Sequence, residues 1–356
     1  MDDETILENL GNIQTHGAYR HYKPLSEAAN EFIRWAETPE LRVYTGIKEL
    51  DKAMRGTAPG ELTLIQGFTH SGKTLVATEM LLNNQETPII LFTPDETRPL
   101  VLTKLTSALH EVDARTLERR IQQDDASARD LLLSTAERFN RLAIFDDMVT
   151  ISDMDRMFEE VTHAIGMKPK AVMFDYADLL AGFDDVRNAI TALKMWGKAH
   201  EVAMFVLHQT SRSSGSSGRA IKIDSGSMGG EMQATHVIGV RRKKYMHYAN
   251  MALLEEKIAN STNPNSIAAY ESKMAEIKNY MLPRDENTAT INLVKNKRPP
   301  CDLVEDVDML IDPANGRLRR QEQYDDEYGN PVRTTKVALS FLKQSNTQPW
   351  EQDEMF

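Results

Sequence analysis

The chain has 356 residues and carries 42 Lys and Arg against 53 Asp and Glu, a formal net charge of −11. At roughly 150 residues per domain this length fits two domains, or one large α/β domain with appendages; 41% hydrophobic and 27% charged residues exclude a wholly disordered chain, and the acidic balance excludes a general basic coat for duplex DNA while leaving room for a local basic loop. One cysteine, Cys301, excludes an intrachain disulfide and Cys-based zinc sites, and fits a reducing cytosol.

The chain starts MDDETILENL, which is acidic and lacks the apolar core of a signal peptide, and no later stretch approaches the about 18 apolar residues of a membrane span. Residues 1–40 are polar and read as an N-terminal extension. Within them PLSEAANEFIRWAE (24–37) predicts an amphipathic helix capped by Ser26, with Ala29, Phe32, Ile33 and Trp35–Ala36 on its apolar side. Such a helix either packs on its own domain or docks on a neighbouring subunit. From Glu61 onward short apolar runs recur: LTLIQ (62–66), PIILFT (88–93), LAIF (142–145), AVMF (171–174), VAMFVL (202–207), HVIGV (236–240) and ATINLV (289–294). Helical patterns separate most of them. Strands alternating with helices predict an α/β fold with a mostly parallel central sheet covered on both faces.

Two segments break that rhythm. SRSSGSSGRAIKIDSGSMGGE (211–231) is rich in Ser and Gly and reads as a loop. Residues 246–286 read as a helix–turn–helix insertion, because Ile267, Tyr270, Met274, Ile277 and Met281 fall three or four apart after the turn STNPNS. The core therefore spans 41–320, and 321–356 form a polar, acidic, solvated tail. The nine histidines are scattered and show no HExxH spacing, so no metal site is read from them.

The strongest chemical signal is GFTHSGKT at 67–74, which fits G-x-x-x-x-G-K-[ST]. Gly67 and Gly72 allow the turns that aim the amides of Phe68, Thr69, His70 and Ser71 at phosphate oxygens. Lys73 reaches the β/γ phosphates, the Thr74 hydroxyl ligates Mg²⁺, and the helix that starts there turns its positive end to the anion. A strand precedes the motif and a helical pattern follows it, as nucleoside triphosphate binding requires. Such a loop needs a second Mg²⁺-ordering carboxylate at another strand end. Asp175 in AVMFDYADLL supplies it; FDD at 145–147 is the competitor. Hydrolysis also needs a group to orient water. FTPDET (92–97) offers Asp95 and Glu96 without choosing between them, and a helix cap is the alternative for Asp95. In VAMFVLHQTSR, Gln209 is placed to sense a γ-phosphate and pass the change to the loop that follows.

Taken in order, TGIKELDKAMRGTAPGELTLIQGFTHSGKT, FTPDET, FDD, AVMFDYADLL, LHQTSR and INLVKNKRPP resemble the C-terminal motor domain of DnaB-type replicative helicases, within the RecA-like ATPases. The resemblance runs from about Val43 to about Leu318. LD at 50–51, PGE at 59–61 and KNK at 295–297 are more specific than a bare phosphate loop. It implies a hexameric ring that hydrolyses ATP with Mg²⁺ at subunit interfaces and moves on single-stranded DNA, with a primase or a helicase loader as further partners. Lys73 and Thr74 take the phosphate-loop roles, Asp175 the Mg²⁺ carboxylate, Asp95 or Glu96 the catalytic carboxylate and Gln209 the sensor. Lys295 stands where the family has a lysine that reaches a neighbour's γ-phosphate.

There are departures from the family pattern. Lys297 occupies the position of a family arginine and Arg298 comes next, so either Arg298 acts as the finger by a one-residue shift or the trans-acting element is weakened. The sequence around Asp95 and Glu96 also deviates, and the 246–286 insertion is longer than the family norm. Only about 40 residues precede the motor, too few for the family's primase-binding domain. The resemblance implies that the loop at 211–231 faces the central channel of a ring; it carries Arg212, Arg219 and Lys222 and no aromatic residue, so the expected contact is to the DNA backbone without base stacking, the alternative being a plain surface loop. RRKK at 241–244 is a second basic cluster, either a contact to DNA or nucleotide or a solvated patch. Rival readings are a RecA/RadA-like recombination or repair ATPase and a KaiC-like or accessory non-motor module; a small-molecule kinase lacks its lid signature. A compact motor with an acidic tail suits a phage replication module working in a bacterial host's cytoplasm.

Overall fold

The computed structural model describes residues 24–210, 230–320, 324–325 and 331–332. A nine-stranded sheet organises the chain. Its strands are β1 (Leu62–Gly67), β2 (Ile89–Phe92), β3 (Leu142–Phe145), β4 (Ala171–Phe174), β5 (Ala203–Gln209), β6 (His236–Arg242), β7 (Thr288–Asn296), β8 (Val304–Ile311) and β9 (Leu318–Arg320). They lie in the order β3-β2-β4-β5-β1-β6-β7-β8-β9. The first six in this order are parallel to their neighbours, and β7, β8 and β9 add antiparallel. Each apolar run of the sequence is a strand. β1 is buried along its whole length because it is central and covered on both faces, whereas LAIF is half-exposed because β3 is an edge. β8 and β9 carry mixed apolar and charged residues, a pattern too weak to have marked them beforehand.

The helices are α1 (Leu25–Glu37), α2 (Lys48–Met54), α3 (Lys73–Asn83), α4 (Arg98–His110), α5 (Ala114–Gln122), α6 (Ala126–Arg138), α7 (Ile151–Ile165), α8 (Val186–Ala199), α9 (Lys243–Asn260), α10 (Pro264–Glu276) and the short α11 (Leu282–Asp285). They split the core in two. On one face Val76 and Met80 of α3 and Leu105 of α4 pack on Ile65, Phe205 and Ile238. On the other, Met154 and Phe158 of α7 and Leu193 and Trp196 of α8 pack on Leu64, Phe174 and Val206. Local sequence sets several helix ends. Asp113 and Asp125 cap α5 and α6, and Thr150 with Asp153 forms a reciprocal capping box on α7 that ends at left-handed Gly166.

Two local expectations need correction. Pro24, not Ser26, stands at the N-cap of α1, and no side chain caps it, because the helix starts earlier, at Leu25. The insertion between β6 and β7 begins at Lys243, since β6 runs straight into α9. It is an antiparallel pair of α9 and α10, followed by a π turn at Ile277–Met281 and α11. Of the predicted stripe Ile277 is buried, as are His247 and Leu254 of α9. Helix α1 has no buried residue, and Leu25, Phe32 and Ile33 are exposed. It touches the core through Trp35, whose ring lies 3.6 Å from the Arg42 guanidinium and 4.5 Å from that of Arg298. In the C-terminal region, Tyr324–Asp325 pair with Pro331–Val332 as a small antiparallel ladder.

Candidate nucleotide site

The phosphate loop lies between the end of β1 and the start of α3, where a central strand delivers it to the C-terminal edge of the parallel sheet. Two glycines are required by geometry. Gly72 has φ 103°, and a Cβ on Gly67 would stand 2.3 Å from Ser71 Oγ and 2.5 Å from the Val240 carbonyl. The Lys73 ammonium is folded into the loop and donates to the carbonyls of Gly67 (2.9 Å) and Phe68 (3.0 Å). Burial lowers its pKa to about 8, against the opposing pull of Asp175 and Asp178.

Thr74 Oγ1 faces Asp175 Oδ2 at 3.4 Å. Asp175 follows β4, and its carboxyl is pushed up to about 7, first by burial and then by the nearby carboxylate of Glu96. Its Oδ1 is buried without a hydrogen-bond partner among the described residues. A hydroxyl and a carboxylate with an unsatisfied buried oxygen form a hard-oxygen donor set of the kind Mg²⁺ takes. Asp95 and Glu96, just past β2, meet different fates. Tyr176 Oη donates to Asp95 Oδ2 at 2.5 Å, and Asp95 is otherwise exposed. Glu96 is ion-paired with Lys104 of α4. Thr74, Thr78, Thr93, Glu96, Lys104 and Asp175 line one cleft. Gln209, at the end of β5, donates to Thr69 Oγ1 of the phosphate loop. The competing FDD segment lies on the edge strand. There Asp146 accepts the Arg98 amide at 2.9 Å and pairs with the Arg98 side chain, which holds its carboxyl below the usual range. It is a cap for α4, away from the loop.

The basic candidates divide. Lys295 and Lys297 leave β7 at the opposite end of the sheet. Lys295 stands level with Val237 of β6, and β6 Val237 with Leu64 of β1. That is three residues before Gly67, so roughly 10 Å along the strands and about 10 Å across two strand spacings. Lys295 Nζ donates to the carbonyls of Glu231 (2.7 Å) and Met232 (3.0 Å), and Lys297 Nζ to Met232 (3.3 Å). Arg298 corrects one sequence-derived option. The residue is 6% exposed; its guanidinium pairs with Glu61 and donates to the carbonyls of Met54 (2.5 Å) and Arg55 (3.2 Å). It is held inside its own subunit and is not free to act as a finger by a one-residue shift. In RRKK, Arg241 pairs with Asp306, Lys243 with Asp308, and Arg242 donates to the Glu286 carbonyl, so these three tie β6 and α9 to neighbouring elements. Arg212, Arg219 and Lys222 lie outside the described residues.

Tyr176, Lys104 and Asp178, which stand beside the loop, were not singled out from the sequence. Tyr176 follows Asp175 directly and was within reach of a motif reading. Buried His208 Nδ1 stands 3.6 Å from Asp178 Oδ2, a pairing across two elements that no linear spacing shows.

A phosphate loop on the central strand of a mostly parallel sheet, facing a strand-end carboxylate and a strand-end glutamine, defines a RecA-like P-loop ATPase. The family model for the DnaB-like helicase C terminal domain matches residues 42–288. The chain belongs to that family and is an ATP-hydrolysing enzyme of the replicative-helicase type. Solved structures agree on the fold. One solved ATPase domain matches with TM-score 0.63 at 16% identity, covering 85% of this chain and 100% of that one. A DnaB-like replicative helicase, solved to describe its interactions with primase, matches with TM-score 0.60 at 17% identity, covering 90% of this chain and 75% of that one. No curated relative matches the chain.

Proposed function

We propose that this chain is a ring-forming motor, with residues 41–320 as its core, that hydrolyses ATP at subunit interfaces and uses the cycle to move along single-stranded DNA. One observation carries the reading. The phosphate cradle is at one end of the sheet, and the lysines suited to completing it are at the other, too far to serve the same chain's nucleotide. A neighbouring protomer resolves that mismatch, since its Lys295 and Lys297 would meet the triphosphate held by Lys73.

Within one protomer, Thr74 and Asp175 would hold Mg²⁺. Held there, it would supply positive charge against the negative charge that develops on the phosphate oxygens. The phosphate-loop amides and Lys73 bind and orient the triphosphate. Asp95 is the better candidate for ordering the attacking water: it is exposed at the site and oriented by Tyr176, whereas Glu96 is neutralised by Lys104. Gln209 links the phosphate loop to the 211–229 segment that follows it, which favours coupling between nucleotide state and the DNA-contacting residues Arg212, Arg219 and Lys222. The exposed Leu25, Phe32 and Ile33 of α1 suit docking on an adjacent protomer.

The test is ATP turnover with and without single-stranded DNA, on protein whose mass in solution is measured with ATP and Mg²⁺. The expected result is an oligomer whose turnover rises with DNA. A monomer that turns over ATP at the same rate overturns the reading.

A further inference from the structure

Three lysines from separate places converge where residues 230–233 turn into β6. Besides Lys295 and Lys297, Lys194 of α8 donates to the Gln233 carbonyl at 2.6 Å. The three ammonium groups thus occupy the consecutive carbonyls of Glu231, Met232 and Gln233. Lys194 is held there by its helix: Leu193 and Trp196 on either side of it are buried in the core.

Gathering like charges on neutral carbonyls is unfavourable in the isolated chain. Burial, then the charges of Lys297 and Lys194, bring Lys295 down to about 8, with Glu231 pulling the other way. Burial and Lys297 lower Lys194 too. A multiply charged anion among the three converts this repulsion into attraction. The need for a third donor is geometric. Lys297 stands where the family has an arginine, and a lysine offers a point charge in place of a planar fork.

We propose that Lys194 is a third phosphate ligand of the trans-acting set, so that Lys194, Lys295 and Lys297 of one protomer together meet the nucleotide triphosphate held by the next. This rests on the interface reading given above.

The experiment uses the full chain as its ATP-bound oligomer and compares Lys194→Met, Lys295→Met and Lys73→Ala, alone and mixed. Lys194→Met is expected to lower kcat about tenfold or more with KM for ATP changed less than about threefold, as a group acting on developing charge does. Mixed with Lys73→Ala it is expected to regain turnover above the sum of the separate proteins. In the mixture, intact phosphate loops meet intact lysines across the interface, whereas a lysine needed only to shape its own subunit is not rescued that way. Recovery for Lys295→Met but not for Lys194→Met overturns the assignment and leaves the interface reading standing. No recovery for either, or an unaffected Lys295→Met, overturns both. Normal turnover of Lys194→Met without DNA, combined with weakened binding of a labelled oligothymidylate, assigns the cluster to a DNA phosphate and also overturns the proposal.

Discussion

The parallel and antiparallel parts of the sheet treat their charged residues in opposite ways. At the C-terminal edge of β1, β4 and β5 the groups face one another: Lys73, Thr74, Asp175 and Gln209 converge on a single loop. Around β6 to β8 most of the basic groups are already engaged. Arg241, Lys243 and Arg298 have acidic partners in the same chain, and Lys295 and Lys297 sit on backbone carbonyls. The parallel part therefore carries a binding site, and the antiparallel part carries fixed structural pairs plus a small set of cations bound only to neutral groups. A carbonyl releases a lysine to an incoming phosphate more readily than a carboxylate releases an arginine paired with it.

Substitutions on each side can break or sharpen that contrast. The largest effect is expected for Lys73→Ala, which should lower ATP turnover by about a thousandfold or more while circular dichroism stays native; steady-state kinetics check it. Next, Asp95→Asn should cost about a hundredfold in kcat and Glu96→Gln less than about tenfold, because among the described residues Glu96 is the one of the two paired with a cation, Lys104. Equal losses would remove the distinction drawn between them.

On the antiparallel side, Arg298→Met should destabilise the fold by about 2–4 kcal/mol in urea denaturation, since it leaves Glu61 without its cation and the carbonyls of Met54 and Arg55 without this donor. Turnover well below the melting temperature should then stay within about threefold of the parent. A large kcat loss in a protein of unchanged stability would make Arg298 a finger after all. The smallest effect is in pH. Lys295 has its pKa lowered to about 8 and loses its charge as pH rises through that value. The ratio kcat/KM, which reports groups of the nucleotide-free protein, should therefore fall above about pH 8, and Lys295→Arg should make that fall less steep, leaving the part due to Lys73, because a guanidinium stays protonated.

Much of the nucleotide site could be read from the linear chain. The phosphate loop is contiguous, and its helix begins at the lysine that the motif names. Asp175 and Gln209 were accessible because each ends an apolar run, which is where a parallel sheet presents its ligands. The choice between Asp95 and Glu96 was not accessible. The preference proposed for Asp95 rests on Tyr176, just past β4, and on Lys104 of α4, and side chains that meet across elements leave no periodic trace. Arg298 illustrates the same point in reverse. KNKR reads as one basic cluster, yet strand alternation and the turn after Asn296 send Arg298 inward to Glu61 while Lys295 and Lys297 stay on the other side with Met232.

The sequence by itself determined the local chemistry: a glycine-bounded anion loop, strands of β-branched and aromatic residues, and a family pattern long enough to name the class of motor. Those features rest on backbone conformation and near neighbours, which a short stretch of chain specifies. Only the tertiary structure decided which charges are free. That depends on the order and register of the strands, which put Glu61 beside Arg298, Asp306 beside Arg241, and Lys194 beside two lysines a hundred residues away in sequence.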